Sequence, residues 1–566
     1  MKKKDTADRG EPAATTRTGF RLEPPKRGLP KDTQSVCPEC RRVIPARVEE
    51  RGGKVWMTKT CPDHGLFEDV VYSRTEHYYR MEKYRFGDGS GVANPAVGDS
   101  TACPASCGLC RRHASHTALA NVDLTNRCNM TCPVCFANAN AAGFLYEPDL
   151  EQIKGTLRRF RESRPVPCAC VQFAGGEPTL YPEFFEALEA ARELGFSAIQ
   201  IATNGLRFLE PGFAERCRDA GLHSVYLQFD AMDDAAYRKM RGRPLLETKM
   251  KAIDAIRRAG GINVILVPTV VKGMNDGEIG AILKYAFANV NLITGVSFQP
   301  VAITGRISRQ RREELRYTLP DLADAVEAQT GFARADGWAP LSALVPLSRL
   351  ASAIAGRPVT AYTAHHHCSM ATYFFVDADG KPSQINEFLD LDALLRDLDK
   401  IAADLEASRF KFITRSLSKV KALGALERHF HADRAPKGLT FQVLLSAVEQ
   451  LMSSKAERKP GQGFAYRTLM VGGMHFMDSY NFDVERVSRC VVHYGAPDGK
   501  TYPFCAYNAG PTYRLEIERR FAHTPESVRR KAEAEGFPPE LRHLVEGAPA
   551  ARETGGCVRA LCPDKP

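Results

Sequence analysis

NRCNMTCPVCFANAN, residues 126–140, sets Cys128, Cys132 and Cys135 within eight positions. Three residues separate the first pair and two the second. A closed structural metal site takes four protein ligands. Three thiolates on one short loop can instead hold three irons of a [4Fe–4S] cube and leave the fourth iron open, and an open metal position is a site for a substrate or cofactor. The preceding residues, ANVDLT (120–125), read as a strand. The cysteine loop therefore sits at a strand's C-terminal end.

Downstream the same rhythm repeats. CVQFAGGEPTL (170–180) reads as a second strand, followed by a helix through PEFFEALEAARELG with Phe185, Leu188, Ala191 and Leu194 on one face. Then come SAIQIATNG, the helix GFAERCRDAG, the strand HSVYLQFDA, a helix over 247–260, INVILVPTVV, a helix over 276–289, and GVSFQP. Strands alternating with helices at this spacing predict βα units on a parallel sheet. About six units fit, fewer than the eight of a closed barrel. Ligands of such sheets bind on the loops after the strands, so GGEP (Gly175, Gly176, Glu177, Pro178) and the cysteine loop are expected in one site. Backbone carbonyls of GGEP can accept from an ammonium, its glycines permit close approach, and Glu177 adds negative charge.

Upstream, CPECRRVIPARVEERGGKVWMTKTCPDHG (37–65) pairs Cys37 and Cys40 in one knuckle with Cys61 and His64 in another. The residues between them predict a hairpin turning at Gly52-Gly53. Four ligands and no vacancy make a closed, tetrahedral, structural site for one Zn or Fe. Cys103, Cys107 and Cys110 repeat the spacing of the first triplet and are assigned to an auxiliary cluster. Cys368, Cys490 and Cys505 are assigned to a further one. Cys557, Cys562 and His365–His367 are candidate fourth ligands. Cys168, Cys170 and Cys217 are read as core.

Seventeen cysteines, nine of them between Cys37 and Cys135, point to metal chemistry rather than disulfides in a chain whose N-terminus lacks the apolar run of a signal peptide. No stretch reaches the roughly 18–20 apolar residues of a spanning helix. The net charge of +10 reads as a solvated basic surface, and no nucleic-acid partner is expected. The expected location is the cytoplasm, with peripheral contact to the inner membrane face left open.

CxxxCxxC after the first strand, with GGEP about forty residues later, resembles the radical SAM superfamily. The resemblance implies that S-adenosylmethionine (SAM) chelates the open iron and is cleaved to a 5′-deoxyadenosyl radical by an electron from a donor such as ferredoxin or flavodoxin. The superfamily usually carries an aromatic just before the third cysteine; here Val134 stands there and Phe136 follows. The implied fold is α/β: a partial (β/α)6 barrel with an N-terminal rubredoxin or zinc-ribbon-like module and a C-terminal α+β auxiliary-cluster domain packed over the barrel mouth. Expected boundaries are 1–30 for a disordered basic arm, 31–85 for the ribbon, 95–118 for an auxiliary-cluster segment, 119–305 for the barrel and 306–566 for the C-terminal domain.

From the ribbon to MHFMDSYNFDVERVSRCVVHYGAPDGKTYPFCAYN (474–508), the order of parts looks like the tetraether lipid synthase family and its bacterial relatives. That likeness implies carbon–carbon coupling of lipid or phospholipid chains, one or two auxiliary clusters, and apolar segments at Leu444–Leu451 and Met470–Met477 that line a lipid channel or belong to the core. The alternatives are methyl or methylene transfer to a small ring such as a pterin, and a non-enzymatic iron–sulfur redox scaffold.

Overall fold

The computed structural model describes residues 25–86, 91–98, 103–452, 466–509 and 513–536. Most of the arm, together with Cys557 and Cys562, lies outside the described residues.

Four antiparallel strands come first: β1 (Lys31–Val36), β2 (Val43–Arg51), β3 (Lys54–Cys61) and β4 (Gly65–Tyr72). The hairpin turns at Gly52-Gly53, both at positive φ, which glycine adopts without a Cβ penalty. Helix α1 (Thr75–Met81) leads away.

The barrel then follows as β5 (Leu119–Thr125), α2 (Leu150–Glu162), β6 (Cys170–Gly175), α3 (Phe184–Glu193), β7 (Ala198–Thr203), α4 (Phe213–Ala220), β8 (Ser224–Gln228), α5 (Asp234–Arg241), α6 (Leu246–Ala259), β9 (Asn263–Val267), the short β10 (Thr269–Val270), α7 (Ile279–Ala288) and β11 (Ile293–Pro300). Strands β5-β6-β7-β8-β9-β11 are neighbours in that order, all parallel. Alternation along each strand separates two surfaces. Val171, Ile201, Leu227, Leu266 and Phe298 are wholly buried against the helices. Gln172, Tyr226, Gln228, Ser297 and Gln299, on the lumen face, are only half-buried.

Beyond residue 305 the βα alternation ends, yet the chain does not simply cap the barrel. A six-stranded partial barrel has two edges with unpaired backbone groups, and C-terminal strands cover both. β12 (Ser369–Val376), β13 (Pro382–Gln384) and β14 (Arg467–Met474) extend one edge, with β14 parallel to β11. β15 (Val492–Gly495) lies parallel to β5 on the other edge, followed by antiparallel β16 (Thr501–Pro503). Gly473 in β14 is dictated by packing: a Cβ there would stand 2.6 Å from Leu322 Cδ2. Alternation and length cannot reveal this join, because it is made across more than 150 residues of sequence.

Leu444 and Met477, one from each suggested lipid-channel segment, are packed into separate cores. Leu444 belongs to a helical cluster with Phe388 and Leu398. Met477 sits among Phe482, Tyr502 and Tyr507. Among the described residues, no helix is long and apolar enough to cross a membrane.

Candidate active site at the barrel mouth

The cysteine loop leaves β5 and is stapled by its own side chains. Asn140 accepts from the Cys128 N–H (2.9 Å) and donates to the carbonyls of Cys128 and Met130 (2.8 and 3.2 Å). Cys135 exchanges backbone hydrogen bonds with Arg306 (3.1 and 2.9 Å). Gly305 makes that approach possible, since a Cβ there would lie 2.1 Å from the Cys135 carbonyl oxygen. Cys128, Cys132 and Cys135 share one cluster with Met130, Ala231 and Tyr237. Burial raises the Cys128 thiol well above its ordinary value, and a thiolate at Cys135 or Cys132 would raise it further. Such thiols ionise when cationic iron compensates the charge; the donor set and its convergence fit a cluster.

GGEP leaves β6 directly beside this loop. The Gly176 N–H donates to the Thr125 carbonyl (2.7 Å) and the Glu177 N–H to the Arg127 carbonyl (2.9 Å). Added Cβ atoms at Gly175 and Gly176 would meet those same oxygens at 2.2 and 2.1 Å. The glycines therefore let the second strand's loop lie backbone-to-backbone on the first. Glu177 does not present its charge outward. Wholly buried, its carboxylate accepts from Thr179 Oγ1 (2.6 Å), Thr203 Oγ1 (2.7 Å) and the Asn204 N–H (2.8 Å). It clamps three loops together.

Sequence patterning did not single out the groups on the next strand ends. After β7, Asn204 Nδ2 donates to Asn129 Oδ1 (2.7 Å) and lies 3.9 Å from Cys128 Sγ. After β8, Asp230 is fully buried and accepts from Arg241 through both oxygens (2.7 and 2.8 Å). Burial alone would raise its carboxyl; the guanidinium pulls it below its usual range. Arg241 also donates to the Val134 carbonyl (2.6 Å). Lys249 of α6 donates to the Asn204 carbonyl (2.5 Å) and Gln228 Oε1 (3.0 Å), and burial lowers its ammonium to about 8. The available signal was positional: each follows a predicted strand or its helix.

The lumen below is amide-lined. Gln172 donates to Asn121 (2.8 Å) and Gln200 to Gln172 (3.0 Å) across β5, β6 and β7. Among the described residues, Asn121 Nδ2 and Asp123 Oδ1 are buried with no hydrogen-bond partner, while the other oxygen of Asp123 accepts from Arg514.

The other cysteine groups also converge. The ligand atoms of Cys37, Cys40, Cys61 and His64 all lie within 4.8 Å of one another, the size of a tetrahedral site. Hydrogen bonding from His64 leads in lowering the Cys61 thiol to about 6. Burial, then Cys107 and Cys110, push Cys103 up to about 12, and Tyr513 donates to the Pro104 carbonyl while accepting from the Cys107 N–H (3.0 Å). Burial leads in pushing Cys505 up to about 12; Cys368 adds to it and Arg486 opposes it. Burial leads in raising Cys490 as well, with Cys505 and Cys368 adding to it. Between the barrel loop and this last group, Phe136 packs on Phe504 with ring centroids 5.4 Å apart. His365, His366 and His367 are buried together, while Cys168 and Cys217 lie in the core and Cys170 is half-buried.

The sequence profile of the Radical SAM superfamily matches residues 122–286, and that of the HMPTM N-terminal zinc ribbon domain matches residues 29–73. A 7,8-dihydro-6-hydroxymethylpterin dimethyltransferase of Methanocaldococcus jannaschii is 38% identical over 87% of this chain and 96% of its own length. A probable GTP 3′,8-cyclase of Methanosarcina acetivorans is 33% identical over 29% of this chain and 49% of its own. Among solved structures, SuiB of Streptococcus suis bound to S-adenosylmethionine is 17% identical, with a TM-score of 0.30 over 38% of this chain and 44% of that one, too distant to carry weight.

The near full-length relative corrects the expected lipid or phospholipid substrate and the coupling of lipid chains, because its named activity is on a pterin. The amide-lined lumen agrees with that correction, since unmet polar groups are costly against a polymethylene chain. SAM and a [4Fe–4S] cluster are the cofactors of such an enzyme, and the ribbon's four ligands suit one mononuclear metal. With a relative this similar along nearly its whole length, the chain is a radical SAM enzyme and belongs to the zinc-ribbon-bearing family of that archaeal protein.

Proposed function

We propose that this chain transfers one-carbon groups to a reduced pterin ring, with 7,8-dihydro-6-hydroxymethylpterin as the first substrate to test. The observation that carries the reading is the 38% identity sustained over 96% of the archaeal pterin dimethyltransferase. When bound, the cluster and SAM supply a radical able to abstract hydrogen from an unactivated carbon.

Cys128, Cys132 and Cys135 hold that cluster, and the backbone of Gly175–Pro178 receives the SAM ammonium. Asn204 and Arg241 position the loop from beneath. Cys103, Cys107 and Cys110, and separately Cys368, Cys490 and Cys505, hold auxiliary clusters. Cys37, Cys40, Cys61 and His64 hold a structural Zn or Fe. The working units are 31–85, 95–118, 119–305 and 306–566, and a ferredoxin- or flavodoxin-like protein supplies electrons. Asn121 Nδ2 and Asp123 Oδ1 offer a donor and an acceptor to a ring with both functions at its edge, which suits a pterin better than an apolar chain.

A SAM cleaved to 5′-deoxyadenosine keeps its methyl on methionine, so the transferred carbon comes from a second SAM or a separate methylene donor. Reconstituted, reduced protein given excess SAM, such a donor and the pterin should release 5′-deoxyadenosine and a methylated pterin, read by mass spectrometry. Steady cleavage of SAM that leaves the pterin unmodified overturns the substrate. No cleavage at all overturns the enzymatic reading and favours the redox scaffold.

A further inference from the structure

Ten large apolar side chains stand exposed among the described residues, and six of them lie between Phe410 and Leu423. Phe412 is 86% exposed, Ile413 67% and Val420 65%. They belong to the helix Lys411–His429 or its first cap. At 3.6 residues per turn, Phe412, Ile413, Leu417, Val420 and Leu423 share one face. The opposite face, carrying Ser418, Ala422, Ala425 and Leu426, packs on the helix Leu391–Ala407. The usual arrangement is largely inverted: apart from Leu426 the inward residues are small, and the large apolar ones face outward.

The charge pattern is equally one-sided. Between Ser408 and Leu426 there are five basic residues, Arg409, Lys411, Arg415, Lys419 and Lys421, and no acidic one; the helix carries a single carboxylate, Glu427, exposed on the stripe side of its last turn. On the helical wheel Lys419 borders the apolar stripe on one side, and Lys421 with Arg428 on the other. Both ends are anchored. Lys411 Nζ donates to the carbonyls of Leu405 and Glu406 (2.9 and 2.6 Å), and Arg428 and His429 bind Asp397 (2.8 and 2.9 Å).

We propose that this helix is a docking surface for an anionic phospholipid bilayer. It would lie in the plane of the interface, its apolar stripe below the headgroups and its bordering lysines among the phosphates. A large apolar face flanked by cations is the pattern of interfacial helices, and lysine stems can bury along the apolar surface while their charges reach the phosphates. Anionic headgroups add attraction for each cation. A second copy of the chain fits less well, since it would bring five cations against five. The polar, basic stretch SSKAERKPGQG (453–463) also lacks the apolar residues needed to cover the stripe. The proposal does not depend on the identity of the ring substrate.

The test is flotation of the full-length holoenzyme with vesicles of phosphatidylglycerol mixed with phosphatidylcholine, against phosphatidylcholine alone. The triple variant Phe412→Ser, Leu417→Ser, Val420→Ser changes only exposed positions, so SAM cleavage and thermal midpoint should stay at the wild-type level. Wild type should float with the anionic vesicles, less so as salt rises. The triple variant should bind them at least about tenfold more weakly. Lys419→Gln with Lys421→Gln should reduce the preference for anionic vesicles. Equal flotation of wild type and triple variant overturns the proposal. So does a wild-type dimer, seen by light scattering, that the triple variant converts to monomer without any vesicle binding.

Discussion

Cys128, Cys132 and Cys135 are grouped by their spacing, and Asn140, Gly305 and Arg241 fix the loop that carries them. Replacing all three by alanine should abolish 5′-deoxyadenosine formation while the metal of the Cys37, Cys40, Cys61, His64 site remains at one per chain, measured by elemental analysis. Unchanged SAM cleavage in that variant would remove the loop from the active site. Gly176→Ala is a subtler probe. A Cβ placed 2.1 Å from the Arg127 carbonyl oxygen forces the two ligand loops apart, so SAM turnover should fall steeply while the ribbon metal is unaffected. Glu177→Gln leaves the size nearly unchanged but can turn a donor toward the Asn204 N–H, at a cost of about 1–3 kcal/mol, read as a lower denaturation midpoint.

Elements add what single residues cannot. Loops from β5, β6 and β7 meet through Glu177, and the end of α5 reaches back to the cysteine loop through Arg241. The two outlying cysteine triplets lie on segments far apart in sequence, one before β5 and the other divided among the residues just before β12, just before β15 and just after β16. Removing Cys103, Cys107 and Cys110, or Cys368, Cys490 and Cys505, should lower iron and labile sulfide while leaving much of the uncoupled SAM cleavage. If neither variant loses iron relative to wild type, those triplets are not cluster ligands.

Over the whole molecule, Arg316 is a buried ionic tie between ribbon, barrel and C-terminal residues, beside the hydrogen bonds of Thr33 to Asp483 and Lys59 to the Ser479 carbonyl. Its guanidinium binds Asp69 of β4 and donates to Asp478 (2.7 Å), all three groups being buried. Asp478 also accepts from the N–H groups of Ile303 and Tyr480. Burial would raise its carboxyl, but Arg316 and these donors hold it at about 2. A folded-state value below the unfolded one of about 4 means that this stabilisation is present above pH ~4 and is lost as pH falls toward ~2, up to about 2–3 kcal/mol. Arg316→Met leaves buried Asp478 without its cationic partner and Asp69 with Arg312 alone (3.3 Å), and should cost about 3–5 kcal/mol. Denaturant titration checks that loss. Repeating it at falling pH should show the gap between variant and wild type narrowing as the carboxylates protonate; a gap constant down to pH ~2 contradicts the assignment.

The sequence alone determined the local features: the three-cysteine loop after β5, the GGEP turn, the grouping of Cys37, Cys40, Cys61 and His64, and the six alternating strands. Each is written in neighbouring residues, through ligand spacing or through a period of 2 or 3.6. Tertiary structure decided the rest. That β14 and β15 complete the barrel's edges, that Glu177 turns inward, and that Asn204, Asp230 and Lys249 support the site all depend on contacts between distant segments. The outward stripe on Lys411–His429 is the sharpest case. Its apolar residues have ordinary helical spacing, and only the neighbouring helix Leu391–Ala407, by taking the small-residue face, decides that the large ones meet solvent. Periodicity tells which residues share a face; it does not tell which face the fold covers.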